Sequence, residues 1–250
     1  MNPGLRSPFR LARIGLSLAF SAGDHLLTCA FRSREGKGRA KSEWLQRTAS
    51  RLLPLFHLEV EVRGTPPTRG LLFANHLGYL DIPLLASFSP SLFVAKKEVA
   101  AWPVFGWFAR QSGTLFVDRQ KRTRAGHTVD EIEAALRRGH LVVLFPEGTS
   151  GGGETVLPFK APLLQPAFLS RPELTVAAIR YALPPGEGDP AEVVSYWREM
   201  TLFPHLIHLL GKSGVRATVV FQAVAAAGEG EDRKALAGRL HAEVARLHGG

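Results

Sequence analysis

The chain has 250 residues, of which 45% are hydrophobic and 21% charged, a composition typical of a folded globular protein. Its single cysteine, Cys29, excludes an intramolecular disulfide and a multi-cysteine zinc site. The net charge is +9, and residues 1–51 hold ten lysines and arginines against three acidic residues, so seven of the nine net charges lie there. A basic block of this kind binds either nucleic acid or an anionic lipid surface.

Two apolar runs, residues 14–23 and 26–31, lie inside the basic block, and neither reaches the roughly 20 residues of a membrane-spanning helix. They predict an interfacial helix, with a cleaved signal peptide as the alternative. Apolar residues at helical spacing predict a second helix over residues 44–56. We therefore expect residues 1–57 to form an amphipathic two-helix membrane-docking segment, with no nucleic-acid partner. The alternative is a helical hairpin packed on the core.

From residue 58 onward, apolar strands alternate with helices. The strands are predicted at 58–63, 71–75, 92–95, 114–117, 141–145, 174–181 and 215–221. The helices are predicted at 81–88, 98–111, 122–138 and 231–247. This order predicts an α/β fold over residues 58–250, with a mostly parallel sheet covered by helices on both faces. Functional sites of such folds lie at the carboxyl ends of the strands.

The first candidate site follows the strand at 71–75 and reads Asn-His-Leu-Gly-Tyr-Leu-Asp, residues 75–81. A neutral imidazole at His76 can take a proton from an alcohol, and a carboxylate at Asp81 can fix its tautomer and stabilise the imidazolium. Gly78 between them allows a tight turn. The alternative for Asp81 is a simple helix N-cap.

Two further strands end in polar segments. Residues 113–119 read Gly-Thr-Leu-Phe-Val-Asp-Arg, and residues 119–124 hold four cations that could bind a phosphate. The alternative there is a solvated basic loop. The strand at 141–145 runs into Pro146, Glu147 and Gly148, which presents the Glu147 carboxylate at the same sheet edge as His76. Glu147 could accept hydrogen bonds from acceptor hydroxyls, or it could bind loop amides.

These three segments, in this order, resemble the glycerolipid acyltransferase family of the lysophosphatidate (1-acylglycerol-3-phosphate) acyltransferase type, over roughly residues 58–222. The resemblance implies that His76 is the catalytic base and Asp81 its partner. The acceptor-binding positions of the family fall on Gly113, Phe116, Arg119, Phe145, Pro146, Glu147, Gly148 and Thr149. The family also commonly carries two N-terminal helices for membrane docking.

The resemblance implies an O-acyltransferase of phospholipid biosynthesis that moves a fatty-acyl group from acyl-CoA or acyl carrier protein to a lysolipid hydroxyl. It implies no metal and no further cofactor, and it implies a membrane-associated protein on the cytoplasmic face of the inner membrane. The favoured acceptor is 1-acylglycerol-3-phosphate. Ser150, however, stands where the family often has an arginine that binds phosphate. The Thr-Ser-Gly-Gly-Gly loop at residues 149–153 and the Leu-Pro-Phe-Lys segment at residues 157–160 resemble a branch of the family that includes the lyso-ornithine lipid acyltransferases, the first alternative.

Other readings of the sequence stay open. Residues 148–152 match the Gly-x-Ser-x-Gly pattern of serine lipases and esterases, which would make Ser150 a nucleophile if a strand, a sharp turn and a helix surrounded it. A basic amphipathic protein that only binds membranes would explain the N-terminus but not three reactive clusters at strand ends. Residues 211–213 read Gly-Lys-Ser, but Leu206 stands where a phosphate-binding loop needs glycine.

Overall fold

The computed structural model describes residues 3–29, 34–118 and 122–250. In this part of the chain seven strands form one sheet in the order β1-β7-β6-β2-β5-β3-β4. Neighbouring strands run parallel except β6 and β7, which are antiparallel. The strands are β1 Leu58–Arg63, β2 Gly70–Ala74, β3 Ser91–Lys96, β4 Leu115–Val117, β5 Leu141–Leu144, β6 Leu174–Ala182 and β7 Val215–Val224.

The α-helices precede, connect and follow these strands. They are α1 Pro3–Cys29, α2 Arg34–Leu52, α3 Asp81–Phe88, α4 Phe105–Gln111, α5 Arg122–Arg137, α6 Pro166–Leu169, α7 Pro190–Val193, α8 Leu202–Gly211 and α9 Arg233–Gly249. Short 3-10 helices lie at Leu53–Phe56, Lys97–Ala101 and Ala161–Leu164.

The central strands are buried on both faces because helices cover each face of the sheet. Leu71 and Phe73 of β2 point to the cluster that includes Ile132 of α5 and Leu240 of α9. Leu72 of β2 points to the opposite cluster, which includes Leu84 and Leu85 of α3 and Ala49 of α2. This alternation explains why these strands read as continuous apolar runs. The predicted α/β class and the mostly parallel sheet are confirmed.

The N-terminal helices pack on each other and on the rest of the domain. Trp44 of α2 is fully buried and donates to the Ser21 carbonyl of α1 at 2.7 Å. Arg10 of α1 is also buried and donates to the Leu210 carbonyl at the end of α8 at 3.0 Å. Residues before position 58 also share hydrophobic clusters with later ones, since Ala49 packs in the cluster of Leu72 and Ile14 in that of Leu206.

The prediction of a continuous helix over 98–111 is wrong. The segment forms the 3-10 helix Lys97–Ala101 and then α4, which begins only at Phe105. Pro103 between them cannot donate a helical hydrogen bond, and it disfavours helical backbone at the residue before it. The helices α6, α7 and α8 were not predicted. Pro166 and Pro190 each open a single turn, and α8 buries one side, His205, Leu206, Leu209 and Leu210.

Candidate active site

The site lies at the carboxyl edge of β2, where Asn75 fixes the end of the strand. The Asn75 side chain donates to the Ile179 carbonyl at 3.0 Å and accepts from the Ile179 amide at 2.7 Å. These two bonds replace the strand pairing that stops at Ala74, and they hold the chain against β6. His76 follows directly, with 23% of its side chain exposed. The His76 imidazole is thus partly exposed, while the backbone before it is held by the two hydrogen bonds of Asn75.

Asp81 and His76 meet as the sequence predicts. The Asp81 Oδ2 atom lies 2.7 Å from His76 Nδ1, and the carboxylate is fully buried. An ionised carboxylate only accepts hydrogen bonds, so Nδ1 carries the proton and donates it. This tautomer leaves a lone pair on Nε2, which is the arrangement that a general base requires.

The Asp81 carboxylate is held by further donors on both of its oxygens. Oδ2 accepts from the amides of Leu77 at 2.6 Å and Gly78 at 2.9 Å. Oδ1 accepts from the Tyr181 hydroxyl at 2.8 Å. These amides precede α3, so Asp81 closes the loop before the helix and is not a simple N-cap of it. Burial raises the pKa of the Tyr181 hydroxyl well above its usual range, which keeps Tyr181 a donor.

The segment after β5 supports the imidazole from the other side. The Phe145 ring stacks on the His76 ring with centroids 4.1 Å apart and an interplanar angle of 18°. Glu147 accepts from the His76 amide at 3.2 Å and from the Leu157 amide at 3.1 Å, one on each carboxylate oxygen. Glu147 is buried and therefore binds loop amides, the alternative that the sequence left open.

Glu147 has a perturbed ionisation. Burial raises the pKa of its carboxyl to about 7, with a smaller contribution from the Asp81 charge, while the two amide hydrogen bonds oppose the rise. The chain reaches Glu147 through a turn in which the Gly148 amide donates to the Phe145 carbonyl at 3.0 Å. Gly148 has a φ of 69°, a backbone that glycine adopts without strain.

Sequence reasoning missed a group of side chains behind Gly78. A Cβ atom at Gly78 would lie 2.8 Å from the Tyr196 amide nitrogen, so only glycine lets the two segments meet. Buried His205 of α8 lies 3.0 Å from both the Tyr79 hydroxyl and the Ser195 carbonyl. Because the carbonyl can only accept, Nε2 of His205 donates to it and Nδ1 accepts from Tyr79. Tyr79 and His205 lie 126 residues apart in sequence, so no local motif announces their contact.

The predicted phosphate-binding block lies further along the same edge. Gly113, with a φ of 82°, links α4 to β4, where Phe116 is half-buried. Arg119 lies outside the described residues, as does Lys121. Beside β4, the Lys97 Nζ atom lies 3.4 Å from Oδ2 of Asp118. In the order β2-β5-β3-β4, three strand spacings of about 4.8 Å separate β4 from the strand of His76, roughly 14 Å.

The remaining residues of the third segment surround the turn. Pro146 is buried, and its carbonyl accepts from the Lys160 amide at 2.8 Å, while Thr149 is exposed. Ser150 donates to the Tyr196 carbonyl at 2.5 Å. After β5 the chain forms turns and extended segments up to the 3-10 helix at Ala161–Leu164. The strand-turn-helix that a hydrolase nucleophile needs is therefore not formed around Ser150.

Comparisons with known proteins indicate what this chain is similar to. A protein-family model described as Acyltransferase matches residues 57–179. The chain is 37% identical over 195 residues to the lyso-ornithine lipid O-acyltransferase of Rhodobacter capsulatus, covering 75% of this chain and 69% of that protein. It is 30% identical over 238 residues to the 1-acyl-sn-glycerol-3-phosphate acyltransferase of Neisseria meningitidis serogroup B, covering 94% of this chain and 90% of that protein. The crystal structure of a 1-acyl-sn-glycerophosphate acyltransferase from Thermotoga maritima matches with a TM-score of 0.71 and 20% identity, over 98% of this chain and 94% of that chain.

Proposed function

Because this chain belongs to the acyltransferase family and is an O-acyltransferase, we propose that it transfers a fatty-acyl group from acyl-CoA or acyl carrier protein to the free hydroxyl of a lysolipid. The observation that carries this proposal is the contact of 2.7 Å between His76 Nδ1 and the buried Asp81 carboxylate. This contact prepares Nε2 to accept a proton from an alcohol. Asp81 is the catalytic partner of His76 in this proposal.

The reaction balances without a covalent enzyme intermediate. His76 Nε2 takes the proton of the acceptor hydroxyl, and the oxygen attacks the carbonyl carbon of the thioester. The tetrahedral intermediate then expels the thiolate, which takes the proton back from the imidazolium. Asp81 stabilises the imidazolium during the interval, and the Phe145 ring keeps the imidazole in plane for both proton transfers. The residues of the chain thus supply a base, its orientation and a binding surface.

The first candidate acceptor is a lyso-ornithine lipid. The four lyso-ornithine lipid O-acyltransferases compared are 32% to 37% identical to this chain. Ser150, which replaces the arginine that often follows the Phe-Pro-Glu-Gly-Thr segment, has its hydroxyl bound to the Tyr196 carbonyl. The loop therefore lacks the charge that a phosphate monoester would favour at that position.

The second candidate acceptor is 1-acylglycerol-3-phosphate. The alignment with the Neisseria meningitidis protein that carries this name covers 94% of the chain. Lys96 and Lys97 are exposed at the carboxyl end of β3, which pairs with β4; Gly113 precedes β4 and Phe116 lies within it. With Arg119, these cations would give the phosphate a binding place at this end of the sheet. Glu147, Gly148 and Thr149 would then act by shaping the neighbouring turn.

The membrane surface is the partner that we propose for α1. No helix in the described ranges is long and apolar enough to cross a bilayer. The outer side of α1 nevertheless exposes large apolar side chains over several turns: Phe9, Leu16, Phe20, Leu26 and Leu27. A helix with an apolar outer row and flanking arginines lies in the plane of a bilayer interface. Such docking would bring the enzyme to the leaflet that holds its lysolipid.

The decisive test is acyl transfer by the purified chain from radiolabelled acyl-CoA and acyl carrier protein. Lyso-ornithine lipid and 1-acylglycerol-3-phosphate are offered in parallel, beside a folded His76→Ala variant. We expect product from lyso-ornithine lipid, and we expect its rate of formation to fall by a factor of about 10³ or more in the variant. Product only from 1-acylglycerol-3-phosphate would select the second candidate, and product that survives His76→Ala would overturn the mechanism.

A further inference from the structure

Apart from α1, the described chain exposes seven large apolar side chains, and four of them lie in two segments near the proposed catalytic loop, the other three being Val60, Val62 and Leu169. The connection between β3 and β4 exposes Trp102, Val104 and Phe105, and the first turn of α8 exposes Phe203. Val104 is 54% exposed and Phe203 62%. These four side chains are called the second apolar patch below. Single exposed apolar residues are common in soluble proteins, but a cluster of them marks an interaction surface.

Aromatic contacts connect the patch to the proposed catalytic loop. Tyr79, two residues before Asp81, has its ring centroid 6.2 Å from that of Phe105. Tyr196, whose amide donates to the Leu77 carbonyl at 2.7 Å, has its ring centroid 6.4 Å from that of Trp102. The side chains that support the patch therefore also pack on the loop between His76 and Asp81.

The two segments of the patch lie on or beside helices that pack on α1, the helix that we propose to dock on the membrane. His25 of α1 lies with its ring centroid 6.1 Å from that of Trp107, in the first turn of α4. At the other end of α1, Ser7 donates to the Ile207 carbonyl of α8 at 3.0 Å. The first segment of the patch leads into α4, and the second lies in α8. Helix α1 therefore contacts the helix that belongs to each segment.

Exposed cations accompany the apolar side chains. Lys96 precedes and Lys97 begins the 3-10 helix that leads to Trp102, and Arg198 lies in the segment before α8. Arg198 stacks over the Trp197 ring, 3.7 Å from its centroid. Apolar side chains flanked by exposed cations complement an anionic lipid leaflet. A soluble partner protein would not require this combination of groups beside a lipid-processing site.

We propose that the second apolar patch inserts into an anionic bilayer beside α1, and that the lysolipid leaves the leaflet between these two contacts to reach His76. The insertion itself depends only on the exposed groups, whereas the lipid path rests on the proposed function. Val104 has a φ of 61° and a ψ of −63°, a backbone that is strained for a β-branched residue, so a side chain without β-branching adds no strain there. The variant Val104→Asn/Phe203→Ser therefore removes two apolar contacts without new backbone strain.

The experiment compares the full chain with this double variant in two assays. Sedimentation with vesicles of phosphatidylcholine and phosphatidylglycerol measures binding, and turnover is measured with lysolipid in vesicles and with short-chain monomeric acceptor and donor. We expect the variant to bind vesicles about tenfold more weakly and to lose turnover of vesicle lysolipid by a similar factor. Its turnover of monomeric substrates stays within about twofold of the unmodified chain.

The matched control is Leu169→Ser, which removes a side chain that is 50% exposed on α6. Equal loss of vesicle binding in this control, or no loss in the double variant, would overturn the proposal. A chain that is dimeric without vesicles and becomes monomeric in the double variant would assign the patch to a second copy, which also overturns it. Absence of any acyl transfer, with the expected difference in vesicle binding, would refute the proposed function and leave the insertion supported.

Discussion

The Asp81 carboxylate and the outer row of α1 depart from the usual distribution of side chains in opposite ways. Asp81 is a fully buried charged group, and its oxygens accept from His76, Leu77, Gly78 and Tyr181. Leu16 and Leu27 belong to an apolar row in contact with solvent, 72% and 79% exposed. A buried charge is stable only when its partners are all in place. An exposed apolar row contributes to membrane binding through its total apolar area instead. Replacing any one of its side chains should therefore have a small effect.

Asp81→Asn should have the largest effect on catalysis, because it changes the buried group whose hydrogen-bond partners are all fixed. An amide at this position would place donor hydrogens towards donors, and it would no longer hold the His76 tautomer that frees Nε2. We expect kcat to fall by about 10³- to 10⁴-fold while KM changes little. Steady-state kinetics with a saturating donor measures this. A loss below tenfold would contradict the proposed role of Asp81.

The pH dependence of stability distinguishes the two regions, because the buried region contains a titrating group, Glu147, and the apolar row of α1 contains none. The folded-state pKa of Glu147 is raised to about 7, above the usual value of 4.5, so the folded protein binds this proton more tightly than the unfolded chain. The contribution of Glu147 to the free energy of unfolding should therefore be greatest below pH 4.5 and fall as pH rises from about 4.5 through 7. The contribution of this group between pH 5 and 8 is roughly 2–3 kcal/mol.

The measurement compares urea unfolding of the unmodified chain and Glu147→Gln at several pH values. The difference between the two free energies should change with pH by the amount given above, since glutamine does not titrate. Glu199→Gln, which alters an exposed carboxylate before α8, is the matched control and should follow the unmodified chain. A pH-independent difference for Glu147→Gln would contradict the raised pKa.

Tyr181→Phe tests whether the hydroxyl that donates to Asp81 Oδ1 helps to position the carboxylate. The substitution keeps the ring and removes the hydroxyl that donates to Oδ1 at 2.8 Å. A buried acceptor without its partner costs about 1–3 kcal/mol, and we expect kcat to fall about tenfold with little change in KM. The matched control is Tyr196→Phe, whose hydroxyl donates to the Met200 carbonyl instead. Equal kcat values for the two variants would argue against a positioning role for Tyr181.

The sequence was most informative where the signal is local. Strand positions followed from continuous apolar runs, and the six-residue segment from His76 to Asp81 predicted a contact that the structure contains. The predicted helix over 98–111 failed because the restriction imposed by Pro103 outweighed the helical apolar spacing around it. The order of seven strands and the burial of α2 against α3 depend on distant pairings, which spacing along the chain does not encode.

The same limit explains which site residues were missed. Tyr181 reaches Asp81 across 100 residues of sequence, and His205 reaches Tyr79 across 126. Each residue lies in an apolar stretch in which a tyrosine or histidine is ordinary. Glu147 shows the reverse case: its place at a strand end was predictable, but its burial and its two amide donors depend on how the loop to Leu157 folds back. The reactive side chains at the strand ends could be predicted from the sequence. The residues that hydrogen-bond to them and hold them in place could not.

The smallest expected effect belongs to the outer row of α1, and it tests the other half of the comparison. Leu16→Ser/Leu27→Ser removes two exposed side chains, so the free energy of unfolding should change by no more than about 0.5 kcal/mol. Vesicle binding should weaken about three- to tenfold, because apolar area leaves the interface while the arginines remain. Sedimentation with anionic vesicles and urea unfolding check the two parts, with Leu169→Ser as the matched control. A large loss of stability would mean that α1 is covered by protein in solution, whereas unchanged binding would leave the basic residues alone to hold the chain at the lipid surface.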